Sequence, residues 1–256
     1  MPVWQELRDE LNELTSDGFE LVTVGLDALG NEGCQAFMEA AKPSHPALID
    51  RHHTLAEKFG VINIPSSIWI DEEGTIVRPA EAAPAPPPPD SDPNADKGAQ
   101  EPPDLSAAPE RLQQMMVEAA KITSDATAYH EALRDWVTLG SNSQFALNPD
   151  EVISRSRPRS ADVALGHAHF ELATALVIAG AQTEAIAHFR KAHKLVPDSW
   201  TFRRQAWSLE PVGEGPFARF WQGPSPDSPE SWPYEGGWLE DIKKEGAENY
   251  SEPFRP

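Results

Sequence analysis

The sequence predicts an α/β domain at the N-terminus, then a proline-rich spacer, then an all-α helical region. Three observations carry this. Residues 1–80 alternate helix-spaced and strand-like apolar patterns, as a layered α/β unit requires. Apolar side chains then thin out over residues 81–109 while prolines crowd together. From 110 to 209 apolar residues recur at three- and four-residue spacing, the mark of amphipathic helices.

The elements follow in order. Trp4, Leu7, Leu11 and Leu14 recur at helical spacing and define one buried face. Phe19 to Leu26, with Leu21, Val22 and Val24, reads as a strand too apolar for an exposed edge. Cys34, Phe37, Met38 and Ala41 suit a second helix that stops before Pro43. His53 to Phe59 suits a third, with Gly60 as its C-terminal stop. Ile68-Trp69-Ile70 and Thr75-Ile76-Val77 read as two strands, joined through Asp71-Glu72-Glu73-Gly74 into a hairpin.

Ala83-Pro84-Ala85-Pro86-Pro87-Pro88-Pro89-Asp90 opens the spacer. Its apolar content is too small to offset the entropy of ordering, and consecutive prolines favour the extended polyproline II form. It is read as a semi-rigid spacer; an SH3-type ligand is the alternative. Beyond it, Leu112, Met115, Met116, Ala119 and Ile122 form one helical stripe. Tyr129, Leu133, Trp136 and Val137 form another, ended by Gly140. Asn148-Pro149-Asp150-Glu151 has the form of an N-cap with proline at the first helical position. Residues 210–256 lack periodicity and are expected to lay aromatics such as Trp221, Trp232 and Trp238 on the helices.

Composition removes several function classes. A net charge of -20 leaves no basic footprint for nucleic acid. Its plain meaning is solubility. The single cysteine, Cys34, rules out an internal disulfide or a Cys-x-x-Cys site within this chain. Cys34 lies near a helix start, where a thiol gains reactivity. The competing reading is a small buried residue, with Glu32 raising the thiol pKa by like-charge repulsion. No membrane span is expected, and the opening residues do not read as a signal peptide. The chain as written is expected to be cytoplasmic, or extracytoplasmic if a leader lies upstream. His167 and His169 are two apart and His188 and His193 five apart, poor spacings for paired ligands on a helix, so no metal site is expected. Phosphate loops and nucleophile elbows are missing, and no cofactor is called for.

Two resemblances refine this. The Phe19–Val77 run, with a proline entering an apolar strand and an Asp-x-x-Gly hairpin after it, resembles the second half of a thioredoxin fold. Within that superfamily it is most similar to the TlpA/ResA-like redoxins, and Pro2 to Leu7 resembles the stretch just past their redox motif. The resemblance covers residues 1–78. It implies thiol–disulfide exchange with protein or peptide thiol substrates. It also implies that Pro65 is cis and that Ile64 and Pro65 hold the substrate chain as an added strand. The reactive Cys-x-x-Cys pair, or a selenocysteine in its place, would lie upstream of Met1 together with a central strand. The alternative is a non-catalytic interaction module.

The second resemblance is to one tetratricopeptide repeat at 166–199. Leu172, Ala173 and Leu176 stand in its first helix and Gly180 at its turn. Ala185, Phe189 and Ala192 follow in the second, which Pro197 closes. It implies either a groove for a peptide ligand or a structural cap.

Overall fold

A computed structural model of the chain describes residues 2–16, 18–85, 108–156, 159–210, 221–225 and 228–256. Its contacts divide into two units, each gathered from separated stretches. Unit 1 takes Met1–Pro88, Ser124–Ala161 and Glu252–Pro256; unit 2 takes Pro89–Thr123 and Asp162–Ser251.

Unit 1 begins with α1 (Pro2–Leu14), whose Leu7 and Leu11 are buried as their spacing requires. Next come β1 (Thr23–Leu26), α2 (Asn31–Ala41), β2 (Ala47–Asp50) and α3 (Thr54–Phe59). β1 and β2 run parallel, in register from Thr23↔Ala47 to Leu26↔Asp50. The Asp50 carboxylate ends β2 by accepting the N–H groups of Thr54 (2.9 Å) and Leu55 (2.7 Å). A carboxylate there satisfies orphan donors and faces the positive end of the helix. Gly60, at φ +71°, closes α3 in the left-handed conformation that glycine adopts without steric cost.

β3 (Ser66–Ile70) and β4 (Ile76–Ala82) form an antiparallel hairpin. Asp71 shapes its turn, its Oδ1 accepting from the N–H groups of Glu73 (3.1 Å) and Thr75 (2.7 Å), with Gly74 at φ +78°. Between the pairs Ser67↔Glu81 and Trp69↔Arg78, β4 advances one residue more than β3. That bulge absorbs Pro79, which has no N–H to give a ladder.

Several expectations change here. β1 is shorter than the Phe19–Leu26 run, and Val22 and Val24 are exposed rather than covered. β2 falls between the expected second and third helices, where the sequence pattern marks no element. α2 buries no residue, and Phe37 stands 64% exposed. β4 runs past Val77 through Ala82, so the expected spacer begins later; residues 86–107, with the consecutive prolines, lie outside the described residues.

The helices expected as one domain over 110–209 divide between the units. α4 (Glu110–Ala119) belongs to unit 2, whereas α5 (Ala126–Leu139) and α6 (Pro149–Arg155) belong to unit 1. The cause is the α5 stripe. Tyr129, Ala132 and Leu133 share a buried cluster with Leu7, Leu11, Trp69 and Val77, and Trp136 packs on its margin. Asn148 caps α6 with a reciprocal pair, its Oδ1 accepting from Glu151 N–H and the Glu151 carboxylate accepting from Asn148 N–H, both at 3.0 Å.

Unit 2 joins α4 to α7 (Ala161–Ile178), α8 (Gln182–Leu195), α9 (Trp200–Ser208) and α10 (Trp238–Glu245). Its core is aromatic. Phe170 stacks on Phe202 at 4.4 Å and meets Phe189 edge-on at 5.7 Å, and all three are fully buried. Burying each such ring stabilises by roughly 1.5–3 kcal/mol. Ala173, Ala185 and Ala192 are also fully buried, small enough to admit close helix approach. Gly166 does the same job where a Cβ would sit 2.4 Å from Val196 Cγ2. The C-terminal region is less irregular than its sequence suggests: α10 buries Trp238, Leu239 and Ile242 in this core, with Trp232 packed against it.

Among the described residues α7 is long and apolar enough to cross a membrane by length and composition alone. Phe170, Ala173 and Thr174 on it are fully buried in unit 2.

Candidate functional site

The Ile64–Pro65 corner sits between the end of α3 and the start of β3. Its peptide bond is cis. Ile64 and Pro65 are both exposed, while Asn63 beneath them is buried. Asn63 organises the corner from below. Its Oδ1 accepts from Ile64 N–H (2.9 Å) and its carbonyl accepts from Ser66 Oγ (2.7 Å). Pro65 C=O accepts from Ala83 N–H (3.2 Å), tying the corner to the residue just past β4. Ile64 therefore presents an accessible apolar side chain, and its N–H already has a partner.

Behind the corner lies a polar cluster within the unit 1 core. Ser67 Oγ and Tyr129 Oη are 2.7 Å apart, and Trp69 Nε1 donates to the same phenol oxygen at 3.3 Å. Burial raises the Tyr129 pKa, so the phenol keeps its proton and works as a hydrogen-bonding post. Arg78 on β4 is completely buried. It donates to both oxygens of Glu81 (2.6 and 3.2 Å), to Phe145 C=O (3.1 Å) and to Arg255 C=O. Its guanidinium also lies over the rings of Trp69 (5.3 Å) and Phe254 (4.6 Å), a cation–π arrangement on each. Burial pushes the Glu81 carboxyl up, and the Arg78 hydrogen bonds oppose that. Sequence reasoning passed over this pair. The legible signal was an arginine and a glutamate three apart inside a strand, where solvated charges do not belong.

Cys34 occupies the first turn of α2, half-buried against the β1–β2 pair. A Cβ on Gly25 of β1 would stand 3.1 Å from its sulfur. Burial raises the thiol pKa, and the nearby Asp27 carboxylate adds to that. The like charge acting on it is Asp27 rather than the expected Glu32. Asp27 sits over the start of α2, where its Oδ1 accepts from Leu29 N–H (2.8 Å). A Cβ on Gly33 would stand 2.3 Å from that carboxylate, so any larger residue there would have to displace Asp27. Cys34 thus packs on one strand pair, whereas Ile64 and Pro65 introduce the other. Two-step disulfide exchange needs two thiols, and this sequence contains one cysteine.

The histidines pair differently from their spacing in sequence. His169 on α7 and His188 on α8 bring their Nδ1 atoms to 2.8 Å across the helix hairpin. One ring must carry the proton there and the other accept it. His193 belongs to unit 2 as well, its Nε2 buried without a hydrogen-bond partner, and burial lowers its pKa to about 4. No group of three or more His, Cys, Asp or Glu suited to a metal ion occurs among the described residues.

Residues 3–78 match the model of the AhpC/TSA family. The match ends on β4 and takes in every strand of unit 1 except the end of that one. It supports a thioredoxin-like redoxin assignment for this segment. No curated protein matches the chain, and no solved structure does.

Proposed function

We propose that unit 1 is a redoxin-type thiol–disulfide exchange module whose sheet takes one further strand between β1 and β3, with the reactive sulfur or selenium residue on the helix that follows that strand. The observation that carries this is the broken sheet inside the segment matching the redoxin family. Among the described residues β1 pairs only with β2, and β3 only with β4. Unpaired strand edges are an association hazard unless covered. Val22, Val24, Leu48 and Ile70, all on or beside these strands, are exposed, which fits apolar surface waiting for a neighbour.

In that reading a thiolate or selenolate supplied upstream attacks one sulfur of a substrate disulfide. The other substrate sulfur leaves as a thiolate, and a second thiol of the pair then resolves the mixed bond. Ile64 and Pro65 hold the substrate chain alongside. Because Ile64 N–H is bonded to Asn63 Oδ1, main-chain pairing through that N–H requires the contact to yield, whereas pairing through the Ile64 carbonyl does not. Cys34 takes no part, being protonated and packed.

The test is insulin reduction by this chain and by a version extended with the upstream coding sequence. Turnover in the longer chain alone supports the proposal. Turnover in the shorter chain, abolished by Cys34→Ser, contradicts it. Silence in both, with both folded, favours the second reading, a non-catalytic interaction module. That reading draws on α7 and α8, whose tetratricopeptide-like hairpin turns at Gly180 (φ +79°) and buries Ala173, Ala185, Phe189 and Ala192.

A further inference from the structure

The last five residues return to unit 1 after the chain has built unit 2. They lie on unit 1 in the way a bound peptide does. Ala82 N–H, at the end of β4, donates to Glu252 C=O at 2.7 Å, a strand-like main-chain contact. Arg255 C=O accepts from two guanidinium groups, those of Arg155 (2.7 Å) and Arg78. Between these anchors the Phe254 ring meets Tyr129 edge-on at 5.4 Å, with the Arg78 guanidinium 4.6 Å from its centroid. An apolar ring held by an aromatic edge and a cation, flanked by main-chain carbonyls on fixed donors, is how proteins recognise extended peptides.

We infer that this face of unit 1 is a peptide-binding site, with Glu252–Pro256 as its resident ligand, and that it takes the same peptide when offered in trans. The chemistry it selects is an extended segment bearing one aromatic side chain, followed by a main-chain carbonyl placed for two arginines. The receptor half also has contacts of its own, independent of the tail. Arg78 is held by Glu81 and Phe145 C=O, and Tyr129 by Ser67 and Trp69. Loss of the tail does leave one donor of a buried guanidinium unpaired, a costly state that an incoming carbonyl relieves. This drives the site to be filled.

The experiment uses the chain ending at Ser251 and a fluorescent peptide of sequence Ser-Glu-Pro-Phe-Arg-Pro, read by anisotropy. The shortened chain is expected to bind it saturably. A peptide carrying Phe254→Ala is expected to bind at least tenfold more weakly, and the intact chain, its site already filled, at least tenfold more weakly as well. A shortened chain that keeps its circular dichroism yet binds no better than the intact one overturns the proposal. Should the shortened chain lose its structure, the intact chain is cut in its folded state at a protease site inserted after Tyr250. The severed tail is expected to stay on through gel filtration and to leave when excess peptide is added. Immediate loss of the tail, or retention that no excess displaces, overturns the proposal.

Discussion

The two units reach a buried interior by different routes. Unit 2 is built from helices with an aromatic core, in which Phe170, Phe189, Phe202, Trp200, Trp207 and Trp238 are buried. Unit 1 gathers its interior from three separated stretches and places a complete ion pair within it. Apolar packing tolerates loss in proportion to the volume removed, whereas a buried charge tolerates no loss of its partner. The contrast is one of degree: unit 1 encloses both partners of its Arg78–Glu81 pair, whereas unit 2 sets its buried Arg203 beside the Trp200 ring and leaves the Asp241 and Glu245 carboxylates that pair with it partly exposed.

The largest expected effects test this contrast directly. Arg78→Met leaves the Glu81 carboxylate buried without its guanidinium partner and is expected to cost about 3–5 kcal/mol. Adding Glu81→Leu to it should restore most of that, since an apolar pair often replaces a buried ion pair without net loss. Phe189→Ala in unit 2 is expected to cost a similar 3–5 kcal/mol through the cavity it leaves. Urea unfolding of the four chains measures both. The contrast fails if Arg78→Met is as mild as a surface change, or if the double variant is no more stable than the single one.

A somewhat smaller effect comes from acid. His193 binds its proton less readily in the folded chain, at about 4, than a free histidine does near 6.5. Below pH 6.5 the unfolded chain therefore takes up a proton that the folded one refuses, and stability falls as the pH drops toward 4. The full window amounts to about 3 kcal/mol for this residue. His45, His130 and His169 are displaced downward too, chiefly by burial, and add in the same direction. Denaturant midpoints at pH 7.5 and 4.5 should separate clearly, and His193→Leu should narrow the gap. An equal gap in that variant would remove His193 from the explanation.

The smallest effect concerns Cys34. Alkylation of the folded chain by iodoacetamide at pH 7.5 should be slower than that of a small free thiol, because burial and Asp27 hold the proton on sulfur. Cys34→Ala should cost about 1 kcal/mol or less. Alkylation faster than the free thiol would reverse the assignment of Cys34 as a packing residue.

Much of the fold was legible wherever one face of a local element is buried. The burial of Leu7 and Leu11 on α1 (though not of Leu14, which is exposed), the Gly60 and Gly140 stops, the Asn148 cap and the Asp71–Gly74 turn all follow from short-range chemistry. What the sequence hid is assembly over distance. Nothing near Tyr129 says that its helix packs on Trp69 rather than on its sequence neighbours in unit 2. The partnership of Arg78 with Arg255, 177 residues away, is equally silent. β2 was missed because four residues carry too little period to show. Of the candidate site, the Ile64–Pro65 corner was visible by resemblance, but Asn63, Tyr129 and the Arg78–Glu81 pair behind it were not. Their role comes from burial, which a polar side chain does not announce.

The central claim is that the sheet of unit 1 is open for one more strand between β1 and β3. Amide hydrogen exchange on Thr23–Leu26 and Ser66–Ile70 measures it most directly, compared between this chain and the upstream-extended one. The account predicts that amides of β1 and β3 not bonded to Pro46, β2 or β4 exchange rapidly here and become protected at least a hundredfold in the longer chain. Equal exchange in the two chains, with both folded, would contradict it.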